Sequence, residues 1–352
     1  MKVVILGSGQ LGMFLSQVCD RYGYNSVLVN CVSVADVPTS IAHKYIPVDW
    51  KDLSSLDSIL NDADVITWET EHIPTHVIHH IRKYNTVAPP PDSLIEIQDR
   101  ALQKSLIDRI QDDYKDIHFA NAWIRIESEN GLRKAVRLFG YPFVIKSRFG
   151  GYDGHGLRII RSSSDLIKSY ELISSGYGVI AERFINYKYE ISSVFVTDGS
   201  DIRFWDLVQN NHKDGILVET IAPSSVTREL NYKVQLICNR IVKALNYKGV
   251  MAIEFFVEDE DNIIINEIAP RVHNSGHWTL DGSCTSQFEN HIRAISGLSI
   301  LSTETIVKCK MINCIGNLIP LNDLPESASF YDYGKIKKPG RKLGHYTTRE
   351  LK

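Results

Sequence analysis

The sequence predicts a mixed α/β and α+β protein in three parts. An open, parallel α/β unit comes first, a larger α+β body follows, and a small, mostly β piece ends the chain. Three observations predict this. The chain opens as strand, Gly-x-Gly-x-x-Gly turn and helix. A second glycine-rich loop lies between two strand-like segments rather than ahead of a helix. An apolar strand pair further on ends in a cluster of acids, amides, an imidazole and a guanidinium.

The first strand is read over Lys2 to Leu6, the helix over Met13 to Tyr22 and the second strand over Ser26 to Val29. The turn Gly7-Ser8-Gly9-Gln10-Leu11-Gly12 permits close approach of an anion to the helix N-terminus. A nicotinamide-binding unit would place Asp or Glu at the end of the second strand for the ribose, and this chain has Asn30. The fold is therefore expected without the dinucleotide. A further strand, Asp64 to Thr67, ends in Trp68-Glu69-Thr70-Glu71-His72, where ligand groups gather in open α/β sheets. The next helix carries His76, His79 and His80 on one face, read as a solvated surface rather than a metal site because no ordered carboxylate partner is evident. Pro89-Pro90-Pro91 reads as an extended break between domains. The expected parts are residues 1–97, 98–297 and 298–352.

In the second part, Phe143-Val144-Ile145 is an apolar strand ending in Lys146, and the loop Gly150-Gly151-Tyr152-Asp153-Gly154-His155-Gly156 follows. Four glycines in seven residues let backbone amides turn toward phosphate oxygens. No Gly-Lys-Ser/Thr closes the loop, and the strand-like Leu157 to Ile160 comes next, so it reads as a hairpin over phosphates rather than a P-loop. A plain hairpin turn is the alternative. Gly178 to Ala181 reads as a buried strand, and Tyr232 to Leu245 has helical periodicity.

The richest segment is Asn266 to Thr279. It follows the apolar run Ile263-Ile264-Ile265 and brings Asn266, Glu267, Arg271, His273 and Asn274 within nine residues. Glu254 lies on the preceding apolar strand, Val250 to Val257, so Glu254 and Glu267 can face one another across a hairpin. Paired carboxylates suit Mg²⁺ bound to nucleotide phosphates, and a guanidinium fork suits a carboxylate or phosphate. One exposed carboxylate beside a structural salt bridge is the plainer alternative.

Composition permits such an enzyme. The chain has 352 residues, 43% hydrophobic and 23% charged, as in ordinary globular proteins. A net charge of -3 argues against a general nucleic-acid binder. Cys19, Cys31, Cys238, Cys284, Cys309 and Cys314 form no CxxC pair, which fits reduced thiols in the cytoplasm. The opening apolar run is too short for a signal peptide, and no segment reaches transmembrane length.

Gly-Gly-Tyr-Asp-Gly at 150–154, Asn-Asn-His-x-Asp-Gly-Ile-Leu at 210–217, the whole of 266–279 and Ser-Gln-Phe-Glu-Asn-His-Ile-Arg-Ala at 286–294 resemble the 5-(carboxyamino)imidazole ribonucleotide synthetases, a purine-biosynthesis family of the ATP-grasp superfamily. The resemblance runs from Gly-x-Gly-Gln-Leu-Gly to Pro-Gly-Arg-Lys-x-Gly-His at 339–345. It implies an ATP-grasp fold with a Rossmann-like pre-ATP-grasp domain, a cytoplasmic homodimer and no nucleic-acid or membrane partner. It implies that ATP, Mg²⁺ and bicarbonate convert 5-aminoimidazole ribonucleotide, through carboxyphosphate, to its N-carboxylated form with ADP and phosphate.

Site roles carry over by position. Arg100 and Lys146 would hold the ATP phosphates, with Gly151, Tyr152, Asp153, Gly154, His155 and Gly156 closing over them. Glu182, Arg183, Phe184 and Ile185 would pass along adenine, Glu190 would accept from the ribose, and His212 would join the nucleotide site. Glu254 and Glu267, with Asn266, would ligate Mg²⁺. Arg271, His273 and Asn274 would cradle bicarbonate and carboxyphosphate. Tyr152 and Asp153 would face the aminoimidazole, with Lys335 and Arg341 at its 5′-phosphate and Gln10 and Glu71 nearby. His155 and Leu157 stand where the family more often has Lys or Arg and Gln. Other readings are a different ATP-grasp ligase acting on a ribonucleotide, a nicotinamide-dependent dehydrogenase, or a nucleotide sensor on the same scaffold.

Overall fold

The computed structural model describes residues 1–151, 156–166, 169, 178–259 and 262–350. Three sheets organise it. The first is parallel, ordered β3-β2-β1-β4, from β1 (Lys2–Leu6), β2 (Asn25–Asn30), β3 (Tyr45–Pro47) and β4 (Val65–Trp68). Helices α1 (Gln10–Arg21), α2 (Leu53–Leu60) and α3 (Thr75–Ile81) complete the doubly wound unit. Val3 to Leu6 are fully buried, as strands covered on both faces must be. Helix α1 begins at Gln10 rather than Met13, so Gly12 lies inside it.

The expected break at the prolines is in part a helix start. Pro90 is extended, and Pro91 opens α4 (Pro91–Gln98), where its missing N–H costs nothing. The histidine helix leaves His76 and His79 exposed, as a solvated surface requires, but His80 has an ordered carboxylate partner. His80 Nε2 lies 2.6 Å from Asp57 Oδ1, and Lys83 Nζ and Tyr84 Oη bond the same carboxylate. His76 Nε2 is 2.8 Å from the Trp50 carbonyl. Asp57 lies on α2 and Trp50 in the turn before it, more than twenty residues earlier and beyond any local pattern.

A small antiparallel sheet, β5-β8-β6-β7, follows helix α5 (Arg100–Asp113). It holds β5 (Trp123–Ile126), β6 (Phe143–Ser147), β7 (Leu157–Ile160) and β8 (Val179–Arg183), backed by α6 (Glu129–Phe139). The glycine loop thus joins antiparallel neighbours β6 and β7, as the hairpin reading requires.

The third sheet is ordered β14-β13-β9-β11-β12-β15-β17-β16, with β10 (Ile202–Phe204) on β9 (Tyr189–Thr197). Its other strands are β11 (Val208–Lys213), β12 (Ile216–Ala222), β13 (Gly249–Val257), β14 (Ile263–Ala269), β15 (Cys309–Ile315), β16 (Ala328–Asp332) and β17 (Lys342–Arg349). The C-terminal strands therefore extend the sheet of the central body through the β12–β15 pairing. Helix α7 (Arg228–Leu245) and α5 bury one face over Phe195, Phe255 and Ile265. Helix α8 (Gln287–Ile295) joins another core to the first unit, where Phe14 meets Phe288 at 4.8 Å between ring centroids. His291 on α8 also bridges the parts, bonding Thr67 Oγ1 at 3.0 Å and accepting from the Val250 N–H at 3.1 Å.

Candidate active site

The acids face one another. Strands β13 and β14 pair with Glu254 opposite Glu267, and a register shift follows at Phe255. Glu254 accepts no hydrogen bond among the described residues; His273 Nε2 lies 3.8 Å from its Oε1. Burial, reinforced by Glu267 and Glu190 and opposed by His212, pushes its carboxyl up to about 7. A buried carboxylate beside two others, without a donor, suits a divalent cation. Glu267 is more open, with Arg100 Nη2 3.8 Å away. Glu190, His212 and Glu254 also place ligand atoms within 4.8 Å of one another, so Glu254 could serve a cation on either side.

On one side of the acids a cavity of about 440 Å³ is bounded by Lys146, by Glu182 to Ile185, and by Glu190, His212 and Asn266. Lys146 Nζ bonds Asn266 Oδ1 at 3.1 Å and lies 3.4 Å from Glu182 Oε1. Beneath them Lys104 Nζ is 3.3 Å from Glu182 Oε2 and donates to the carbonyls of Ile265 and Asn266. Burial alone would raise the Glu182 carboxyl, but Lys104 and then Lys146 outweigh it and hold it at about 2. Glu190 accepts from Tyr187 Oη at 2.7 Å and lies 3.1 Å from His212 Nδ1. Tyr187 stacks on Phe256 at 4.4 Å, an apolar wall suited to a flat base. Arg100, expected at phosphate, lines this cavity while bracing the glycine loop: its Nη1 and Nη2 donate to the carbonyls of Ser147 and Gly151 at 3.0 and 2.8 Å.

On the other side a cavity of about 290 Å³ is bounded by Gln10, Glu69, Glu71, Arg271, His273, Asn274 and Lys342. Arg271 is forked onto Glu71, with Nη2 to Oε1 at 2.9 Å and Nε to Oε2, and its Nη1 bonds the Val272 carbonyl. Despite burial, the guanidinium holds the Glu71 carboxyl well below the usual carboxylate range. His273 is fixed by a buried chain. Thr220 Oγ1 donates to Asn210 Oδ1 at 3.0 Å, and Asn210 Nδ2 donates to Ser192 Oγ at 2.9 Å. Ser192 donates to Ser275 Oγ at 2.7 Å, which lies 2.8 Å from His273 Nδ1. The Ser275 N–H also points at Nδ1, leaving Nε2 to carry the proton on the Glu254 side. Burial, and then Arg271, pull the imidazole down to about 3, so it is neutral at pH 7. Neither polar atom of the buried Asn274 amide has a partner among the described residues, a ready contact for a polar ligand.

The first glycine turn holds the protein's own carboxylate. The amides of Gly9 and Gly12 donate to Glu69 at 2.9 and 3.2 Å, where a dinucleotide's pyrophosphate would sit. This counts against the dehydrogenase reading. Lys335 Nζ donates to Gln10 Oε1 at the cavity rim. Arg341 is not brought to the cavity; it bonds the side chain and carbonyl of Asp36 at 3.1 and 2.8 Å. Its neighbour Lys342 lines the cavity instead, beside Arg271, and sequence reasoning missed it although it stands in the 339–345 motif. Lys104 was missed too; its signal was position, one helical turn after Arg100. Tyr152, Asp153, Gly154 and His155 lie outside the described residues, whereas Gly151 and Gly156 line the larger cavity.

Residues 1–98 match the family model of the ribonucleotide synthetase preATP-grasp domain, 115–288 that of the ATP-grasp domain, and 309–350 that of the phosphoribosylaminoimidazole carboxylase C-terminal domain. Fold and site together define an ATP-grasp enzyme, an ADP-forming ligase. The sequence is 34% identical to the N5-carboxyaminoimidazole ribonucleotide synthase of Pseudomonas aeruginosa, over 99% of this chain and 94% of that one. The chain belongs to the N5-carboxyaminoimidazole ribonucleotide synthase family. Its structure resembles N5-carboxyaminoimidazole synthetase from Staphylococcus aureus complexed with ADP, with a TM-score of 0.90 and 29% identity over 100% of this chain and 93% of the other. It also resembles the synthase from Aspergillus clavatus in complex with ADP and 5-aminoimidazole ribonucleotide, with a TM-score of 0.87 and 27% identity over 99% and 93%.

Proposed function

We propose that this chain carboxylates the exocyclic amine of 5-aminoimidazole ribonucleotide at the expense of ATP, in purine biosynthesis, with bicarbonate as the carbon source. The observation that carries the reading is the shared wall: Glu254 and Glu267 border both cavities, so a nucleotide on the Lys146 side directs its terminal phosphate at the Arg271–Asn274 side. Bicarbonate oxygen attacks the γ-phosphorus, the bond to the ADP oxygen breaks, and carboxyphosphate forms. Loss of phosphate releases CO₂, the amine nitrogen bonds its carbon, and a proton leaves the nitrogen.

The protein's work is alignment, charge compensation and exclusion of water. Lys146 and the glycine loop hold the polyphosphate, while the stacked Tyr187 and Phe256 support the base. Two N–H groups of Arg271 beyond its Glu71 and Val272 bonds, the His273 Nε2–H and the Asn274 amide supply donors for the carboxyphosphate oxygens. Lys342 adds a cation on the same wall. Mg²⁺ fits Glu254 and Glu267, with Asn266 beside them, and when bound would offset the charge on the transferring phosphate.

The division into 1–97, 98–297 and 298–352, a homodimeric assembly and a cytoplasmic location belong to the same reading. Three family-model spans support the division. Among the described residues no helix is long and apolar enough to cross a membrane. The test is ADP release with bicarbonate or 5-aminoimidazole ribonucleotide omitted in turn. Full activity should need both, with one carbamate formed per ADP. ADP release that ignores the aminoimidazole and yields no carbamate would overturn the proposal.

A further inference from the structure

Glu182 is held between two lysines in the interior. The side chains of Lys104 and Glu182 are 2% and 4% exposed, and that of Lys146 is 11%. Lys104 does not reach a ligand cavity. Its ammonium is taken up by Glu182 Oε2 at 3.3 Å and by the carbonyls of Ile265 and Asn266 at 3.4 and 3.3 Å. Lys146 does line the nucleotide cavity, and it lies 3.4 Å from the same carboxylate. Two cations therefore share one buried anion, and of the two it is Lys146 that faces the cavity, where Glu190, Glu254 and Glu267 also lie. Were Lys104 apolar, Lys146 and Glu182 would form a closed neutral pair. Drawing Lys146 toward a phosphate would then leave Glu182 unpaired in the interior, which is strongly unfavourable.

We infer that Lys104 is a positioning residue for the polyphosphate: it takes up the Glu182 carboxylate, so that the Lys146 ammonium stays available to the ligand. The inference rests on the nucleotide-site reading above. Lys104 also clamps the β14 backbone at Asn266, next to Glu267, so the same contact keeps the metal-binding edge and the phosphate cation in one frame.

The experiment measures calorimetric binding of inorganic tripolyphosphate and of ADP, without divalent cation, to the parent, Lys104→Met, Glu182→Gln and the double variant. Tripolyphosphate has no adenine, so contacts of the 182–185 segment with the base do not enter. Lys104→Met should weaken tripolyphosphate binding about tenfold or more, the scale of one charge interaction at reduced dielectric. Glu182→Gln should bind it several-fold tighter, by roughly the same electrostatic reasoning. The double variant should recover most of the loss. Parent-like binding by Lys104→Met overturns the inference. So does a loss that Glu182→Gln fails to restore, because a merely structural role would be worsened by the second change. If Lys104→Met does not fold, Glu182→Gln alone decides, and unchanged or weaker binding counts against charge sharing. A parent that binds neither probe removes the nucleotide-site reading itself, an outcome distinct from any difference among variants.

Discussion

At the scale of single residues, the site is a set of charges whose partners come from distant parts of the chain. Glu267 is the most open of its acids, and its side chain makes one long contact with Arg100. Glu267→Ala should therefore leave the fold intact and abolish turnover, a loss on the order of several kcal/mol in transition-state stabilisation. A steady-state assay at saturating Mg²⁺, beside a thermal melt, checks this; near-normal activity would sink the assigned role. Arg271→Lys separates the two cavities. An ammonium cannot copy the fork onto Glu71 and still offer donors to carboxyphosphate. Because Arg271 lines the smaller cavity and is not among the described residues that line the larger, ATP affinity should stay near normal while the ratio of ADP released to aminoimidazole consumed rises. Lost ATP binding with an unchanged ratio would reassign Arg271 to the nucleotide.

At the scale of elements, the first βα turn is built around an internal anion. Gly7 has φ +112°, and a Cβ there would stand 2.6 Å from Glu69 Cγ, while Glu69 is pinned by two amides of the same turn. Gly7→Ala therefore combines a strained backbone with displacement of a buried carboxylate. The expected loss is about 2 kcal/mol or more in denaturant unfolding. A variant as stable as the parent would show that the turn relaxes without cost. The motif Gly-x-Gly-x-x-Gly was legible as a turn before a helix. What occupies it was not, since Glu69 lies sixty residues from Gly9 in the chain.

For the molecule as a whole, buried neutral histidines tie the parts together. Burial holds His273, His291 and His345 down at about 3, and His277 well below its ordinary value. The sign follows directly. Between about pH 3 and 6.5 the unfolded chain takes up a proton at His291 that the folded protein excludes, so stability falls as pH drops through this window. Each such group steepens the acid limb by at most about 1.4 kcal/mol per pH unit. His291→Gln should lower stability at pH 7, because the Thr67 to Val250 bridge is disturbed, and should flatten that limb. Denaturant unfolding at a series of pH values measures both effects; an unchanged slope would exclude His291 as one of the groups responsible.

The sequence by itself determined the elements whose signal is local. Strand β1 lies where the apolar run places it, the glycine loop joins antiparallel β6 and β7, and Glu254 faces Glu267 because two apolar strands flank a short polar turn. Motif spacing was enough to recognise the family and its reaction. Only the tertiary structure decided which charges meet. It turned Arg341 to Asp36 and brought Lys342 to the cavity, forked Arg271 onto Glu71, and set Lys104 beneath Glu182. It also continued the central sheet into the C-terminal strands through β12 and β15. Backbone periodicity is written in neighbouring residues. An ion pair or a strand pairing between segments far apart in the chain depends on where folding brings them, and no local pattern carries that information.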